Sequence, residues 1–180
     1  MTAVRELLAE GAFHTSTVEE VAKRAGISRA TVYQHFGSRL AIVDAVCATF
    51  DENPALLALR DSVTLPDADA ALAKTTALAA RFWATEDAVL SQIYGVVAVD
   101  PAARDLVVRQ RADRRGEMIR LVENLAGLGR LRAGLSKSDA LATLLVLTSY
   151  ETFLELRLAG LSDRRLTARL QQSARSLLLD

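Results

Sequence analysis

Cysteine is nearly absent from this sequence of 180 residues, and histidine is scarce. Cys47 is the only cysteine, which excludes an intrachain disulfide and suits a reducing cytoplasm. His14 and His35 are the only histidines, and with a single cysteine they form no metal-ligand cluster of the usual spacing. The motifs GxGxxG, GxxxxGK[ST] and GxSxG are missing as well. We therefore expect no metal, no cofactor and no enzymatic activity.

Long apolar runs are also missing. One of the longest uncharged stretches, Ala140 to Tyr150, is about half of the roughly 20 residues that a membrane span requires. The first ten residues, Met1 to Glu10, carry three charges and do not resemble a signal peptide. These absences predict a cytoplasmic protein without a membrane partner.

The sequence has no excess of charge, because 22 basic residues balance 22 acidic ones. Attraction to nucleic acid must therefore come from local charge placement. Leucine and alanine are abundant and only three prolines occur, which favours helix. We predict an all-α fold of about nine helices. A composition shift near residue 50 predicts a helix-turn-helix DNA-binding domain at 1–50 and a helical regulatory and dimerisation domain at 51–180.

Periodicity and capping residues predict where the helices lie. Thr17 and Glu20 form a capping box, Ser28 is a good N-cap, and Asp100 precedes a proline that favours a helix start. A short helix between 54 and 65 is weakly indicated, after a linker at 51–54. The expected helices span about 2–10, 17–26, 28–34, 38–50, 67–84, 86–99, 100–125, 136–160 and 162–180.

The segment from Thr17 to Arg39 has the pattern of a helix-turn-helix. Two short helices are joined by a turn in which Gly26 can adopt the left-handed conformation. In such units the second helix enters the major groove of DNA. Three apolar side chains are expected to anchor this second helix: Ile27, Val32 and Phe36.

Charge placement supports this interpretation. Between residues 21 and 43 there are four basic residues, Lys23, Arg24, Arg29 and Arg39, and no acidic one. Each basic side chain near a phosphate releases counterions and adds salt-dependent affinity. Arg29 begins the second helix, where it can read guanine, and Gln34 can read adenine.

The sequence from Leu7 to Val46 resembles the TetR (tetracycline-repressor-like) family. The short runs that carry this resemblance lie between Ser16 and Arg39 and are, in order, STV, VA, AGIS, TVY, HF and SR. The resemblance implies a homodimer with a variable ligand-binding body, usually a repressor. Met1 falls inside the helix with which the family begins, which leaves open whether the true start lies upstream. By resemblance, the phosphate-binding residues are Ser16, Thr17, Tyr33, His35 and Arg39, and the residues facing bases are Arg29, Ala30, Thr31 and Gln34.

The last two predicted helices indicate a dimer interface. The helix from about Ala140 is apolar on nearly all sides, which predicts burial against both its own core and a partner subunit. The last helix has one apolar stripe, and two such helices from each subunit make a four-helix interface. An ordinary hairpin within one chain is the alternative. The predicted interface residues are Leu144, Leu147, Leu166, Leu170, Ala174 and Leu177.

The body also carries candidates for a small-molecule pocket, because pockets combine apolar walls with a few polar groups. For each of these residues taken alone, a place in the ordinary core is favoured over contact with a ligand. The candidates are Phe82, Trp83, Ile93, Tyr94, Val97, Met118, Leu121, Tyr150 and Phe153.

These patterns together predict a homodimeric transcriptional repressor that binds double-stranded DNA. A small apolar effector would release it from a palindromic operator. Two alternatives stay open at this point. One is a helical ligand-binding or scaffold protein that has lost DNA binding, and the other is a helical enzyme without a recognisable motif.

Overall fold

The computed structural model of the chain confirms the predicted all-α fold. It describes the backbone of all 180 residues and every side chain except those of Val99 and Leu106. None of the described helices is apolar over a length that would cross a membrane. The helices are α1 (Thr2–Ala9), α2 (Val18–Arg24), α3 (Arg29–Phe36), α4 (Arg39–Ala48), α5 (Pro54–Ser62), α6 (Ala68–Val99), α7 (Arg104–Gly127), α8 (Lys137–Leu147), α9 (Tyr150–Leu158) and α10 (Asp163–Leu178).

The long helix α6 replaces the two helices predicted over 67–84 and 86–99, so that prediction was wrong. Neither glycine nor proline stands near residue 85 to interrupt the backbone hydrogen bonds. Glu86 was expected at a helix start, but its carboxylate instead accepts a hydrogen bond from Arg5 at 2.5 Å. The helix therefore continues through this point.

A break between α8 and α9 replaces the single helix predicted over 136–160. Arg114 Nη1 donates to the carbonyl oxygen of Leu145 at 2.8 Å, and Trp83 Nε1 donates to that of Thr148 at 2.9 Å. Both carbonyls are thus bound by side chains at the end of α8. Ser149 then caps α9. The helix ends here because long-range partners satisfy its last carbonyl groups.

Contacts divide the chain into two compact units. The first unit comprises Met1–Glu52 and Thr85–Gln110, and the second comprises Asn53–Ala84 and Arg111–Asp180. The predicted boundary at residue 50 stays a prediction, since α6 and α7 each supply residues to both units.

The first unit is built around the packing of α1, α2 and α4, with α3 against α2 and α4. A partly buried ion pair ties α1 to the second segment of this unit. Arg5 binds the carboxylate of Glu86, whose side chain is 8% exposed, and donates to Thr49 Oγ1 at 2.9 Å. The buried apolar side chains of this core include Leu7, Leu8, Phe13, Val21, Val32, Ile42, Val43, Val46, Phe50, Leu90 and Ile93.

The second unit has its own apolar core, which includes Leu72, Met118, Leu121, Leu125 and Leu144, each at most 1% exposed. The chain end is fixed onto this unit by backbone bonds. Leu131 and Leu179 form an isolated antiparallel bridge, and the Arg132 amide donates to the Leu178 carbonyl at 2.8 Å.

Candidate nucleic-acid interface

The turn between α2 and α3 has the geometry that the sequence predicts. Thr17 Oγ1 accepts from the Glu20 amide at 3.1 Å, and the Glu20 carboxylate accepts from the Thr17 amide at 2.6 Å. Gly26 has a φ of +67°, a conformation that favours glycine. Ser28 caps α3 by accepting from the Thr31 amide at 3.0 Å. The local signals therefore fix the path of the chain from α2 into α3.

One predicted apolar anchor of this unit was wrong. Ile27 is 43% exposed, whereas Val32 is 3% exposed and packs in the core. Phe36 is half-buried. Helix α3 is held mainly through Val32, because Ile27 lies in the turn and is exposed.

Three of the four predicted base-facing residues of α3 are exposed, and Thr31 is the exception. The exposed residues are Arg29, Ala30, Tyr33, Gln34 and His35, and Thr31 is half-buried. The Arg29 guanidinium lies over the Tyr33 ring, 5.4 Å from its centroid. The Thr31 hydroxyl is 2.8 Å from that of Ser28, so it is engaged within the first turn of the helix.

The predicted phosphate-binding residue Arg39 is bound inside the unit. Its guanidinium lies over the Phe13 ring at 4.3 Å, and its Nη1 donates to the Ser16 carbonyl. Nη2 is buried and has no hydrogen-bond partner in the part of the chain that the structure describes. Burial lowers the pKa of Arg39 from its ordinary value. The Ser16 hydroxyl is also engaged, donating to the Ala12 carbonyl at 2.7 Å.

Acidic residues in α1 and at its C-terminal end neutralise part of the basic segment from 21 to 43. Arg24 makes two hydrogen bonds to the Glu10 carboxylate, at 2.5 and 2.7 Å, and lies 3.5 Å from Glu6. These bonds from Arg24 hold the pKa of Glu10 below its usual value, and Glu10 raises that of Arg24. The segment from 21 to 43 therefore has less free positive charge than its four basic residues indicate. The acidic partners of Arg24 lie outside this segment.

The pocket candidates divide between the two units. Phe82, Trp83, Met118, Leu121, Tyr150 and Phe153 belong to the second unit, and Ile93, Tyr94 and Val97 belong to the first. In the second unit the aromatic rings form a chain. Trp83 lies 4.8 Å from Phe82 and 5.4 Å from Tyr150, and Tyr150 lies 6.2 Å from Phe153. The structure thus brings together the aromatic members around Trp83.

Most of the predicted interface residues are buried within one chain. Leu144, Leu166, Leu170 and Ala174 are at most 3% exposed. Leu147 is half-buried and Leu177 is 45% exposed. Three residues of the α10 stripe, Leu166, Leu170 and Ala174, therefore pack within their own unit, whereas Leu177 stays exposed.

Exposed apolar residues outside the predicted interface set lie on α8 and α9. Val146 is 64% exposed and Leu158 is 81% exposed. Residues that sequence reasoning missed are Phe13 under Arg39, and Arg5 with Glu86. These partners are far apart in sequence, and no local pattern indicates them.

Comparison with known proteins supports the resemblance that the sequence predicts. Residues 1–46 match the family described as bacterial regulatory proteins, tetR family. No curated protein sequence matches the chain significantly.

Solved structures match nearly the whole chain. PfmR, a TetR family transcriptional regulator from Thermus thermophilus, is 16% identical with a TM-score of 0.70, covering 98% of this chain and 94% of that one. GusR from Salmonella enterica is 21% identical with a TM-score of 0.74, covering 98% and 92%. SmeT, the repressor of the Stenotrophomonas maltophilia multidrug efflux pump SmeDEF, is 19% identical with a TM-score of 0.71, covering 99% and 88%. A complex of SmeT with triclosan is 18% identical in sequence, with a TM-score of 0.76 and the same coverage. The whole chain has the fold of these proteins.

Proposed function

We propose that this chain, whose first 46 residues match the tetR family of bacterial regulatory proteins, is a DNA-binding transcriptional regulator that works as a homodimer. The observation that carries the proposal is the α2–turn–α3 unit. Its caps and its left-handed Gly26 form the turn, and the base-facing side of α3 is open. A helix held in this way can enter the major groove.

The charges that remain free favour contact with DNA near the start of α3. Lys23 and Arg29 are exposed, whereas Arg24 is paired with Glu10 and Arg39 is bound to Ser16. Phosphate binding adds affinity without sequence information, and base contacts supply specificity. We therefore assign Arg29 and Gln34 to base reading. Phosphate contacts are assigned to Ser16, Thr17, Tyr33 and His35, and Ala30 and Thr31 lie beside the bases.

Dimerisation follows from the reading of two half-sites. A single recognition helix contacts few bases, and a two-fold dimer places two such helices about 34 Å apart or a multiple of that distance. Most of the predicted interface residues of α10 are buried within one chain. We therefore propose that the interface is formed by the apolar residues that are exposed on α8, α9 and α10. These are Val146, Leu158 and Leu177, with Leu147 beside them.

The effector we propose is a small apolar molecule that contacts the aromatic chain of the second unit. Trp83 and Tyr150 offer apolar faces, and Arg114 and Thr148 place polar groups next to them. The complex of the structural neighbour SmeT with triclosan is consistent with an apolar effector. An effector that binds better to the form that does not bind DNA releases the operator, and a repressor of this kind is the regulator that we propose.

The test is selection of bound duplexes from a random pool by the full-length chain, followed by footprinting of the enriched site. We expect one enriched palindrome with two protected half-sites. Recovery of no sequence above the starting pool, at several salt concentrations, contradicts regulation. Binding of apolar molecules without duplex binding would instead favour the ligand-binding alternative.

A further inference from the structure

The three arginines in α2 to α4 differ in what their guanidinium groups bind. The donors of Arg24 are taken by Glu10, and Arg39 donates to the Ser16 carbonyl. Arg29 forms no ion pair with any side chain that the structure describes, and its partner is the ring of Tyr33. Arg29 therefore contacts an aromatic ring, whereas the other two arginines donate hydrogen bonds to oxygen atoms.

An aromatic partner leaves the donors of an arginine free. A carboxylate occupies the N–H groups, whereas a ring face attracts the positive charge and accepts no conventional hydrogen bond. Arg29 is the first residue of α3 and Tyr33 stands four residues later, so both lie on one side of the helix. The ring is exposed on that side, with 44% of Tyr33 accessible.

The contact also restricts a flexible side chain before DNA arrives. A free arginine loses rotamer freedom when it forms a two-bond contact with guanine O6 and N7. A guanidinium already held over Tyr33 at 5.4 Å loses less of that freedom. The Tyr33 hydroxyl plays no part in this restriction, because the contact is with the face of the ring.

From this geometry we infer that Tyr33 is a positioning residue that sets the preference of the regulator for the base read by Arg29. This inference rests on the proposed function and assigns a role within it. The ring of Tyr33 orients Arg29, while the hydroxyl stays available for a phosphate. The two parts of one side chain thus make separable contributions, one to specificity and one to overall affinity.

The experiment measures binding of the full-length chain to the selected duplex and to single-base variants of it. Arg29→Ala first identifies the position at which discrimination depends on Arg29. Tyr33→Leu and Tyr33→Phe are then compared at that position. Phenylalanine is the matched control, because it keeps the ring and removes only the hydroxyl.

We expect Tyr33→Leu to lower discrimination at the Arg29-dependent base about two- to fivefold, as the loss of an exposed cation–π contact predicts. Tyr33→Phe should retain the wild-type discrimination, even where its overall affinity falls. In the Arg29→Ala background, Tyr33→Leu should change discrimination no further.

Three results would overturn the inference. The first is a Tyr33→Leu variant that keeps the wild-type discrimination and binds all duplexes more weakly, which is the result of a phosphate contact alone. The second is an equal loss of discrimination in Tyr33→Phe and Tyr33→Leu, which would assign the effect to the hydroxyl. If Arg29→Ala leaves discrimination unchanged at every base position, Arg29 makes no base contact and the inference has no basis. A wild-type chain that prefers no sequence is a separate result, because it contradicts the proposed function itself.

Discussion

Replacement of Arg39 by alanine distinguishes a contact with the DNA backbone, which the sequence predicts for this residue, from a structural role within the chain. In the structure Arg39 lies over Phe13 and donates to the Ser16 carbonyl. It thereby joins the start of α4 to the loop before α2. We expect Arg39 to hold this loop in place rather than to neutralise a phosphate.

The magnitude follows from the two interactions that the substitution removes. A hydrogen bond from a charged donor contributes about 1.5 to 3 kcal/mol, and a cation–π contact contributes about 0.5 to 2 kcal/mol, depending on exposure. Because Arg39 is only partly buried, we expect Arg39→Ala to lower the free energy of unfolding by about 2 to 4 kcal/mol. Urea denaturation of the free protein measures this decrease.

The salt dependence of DNA binding gives the second readout. If Arg39 holds the loop, the slope of log K against log salt concentration should stay at the wild-type value. A phosphate contact predicts a loss of about 0.9 per subunit, or about 1.8 for a dimer. Lys23→Ala is the matched control, since it removes the same charge from an exposed position and should change stability by less than about 0.5 kcal/mol. A reduced slope with unchanged stability in Arg39→Ala would refute this reasoning.

Three further predictions concern other parts of the molecule. Glu86→Gln removes the charged partner of Arg5 and should lower the free energy of unfolding by about 1 to 3 kcal/mol in urea titration; unchanged stability would show that the pair contributes nothing. Burial raises the pKa of the Cys47 thiol to about 11 from 9.0, so iodoacetamide at pH 8 should alkylate the native chain at least about tenfold more slowly than the unfolded chain. Equal rates would contradict the burial. Leu158→Glu should halve the mass measured by light scattering, whereas Leu57→Glu, at a similarly apolar exposed position, should not; a dimer that persists in Leu158→Glu rules out this face.

The features that sequence alone predicts correctly depend on neighbours within about one helical turn. Thr17 with Glu20, Ser28 and Gly26 each act through residues close by in the chain, so the α2–turn–α3 unit could be outlined from the sequence. The same holds for the outward position of Arg29. These signals are local because capping and turn geometry are local.

The features that sequence could not supply depend on partners far along the chain. Glu10 reduces the free charge of Arg24 from 14 residues away, and nothing in the window around Arg24 indicates this. The end of α8 is set by Arg114, which binds the Leu145 carbonyl, 31 residues further along the chain. The orientation of the α10 stripe was likewise undecidable, because an apolar face packs equally well against its own core or a second subunit.

The central claim is that the α2–turn–α3 unit reads a specific DNA sequence. Fluorescence anisotropy of the full-length chain with its selected duplex and with a scrambled duplex, at the same physiological salt, tests it most directly. Specific regulators bind their sites about 1,000-fold or more tighter than other DNA, and we predict a ratio of at least that order. Equal affinities for the two duplexes would contradict the claim.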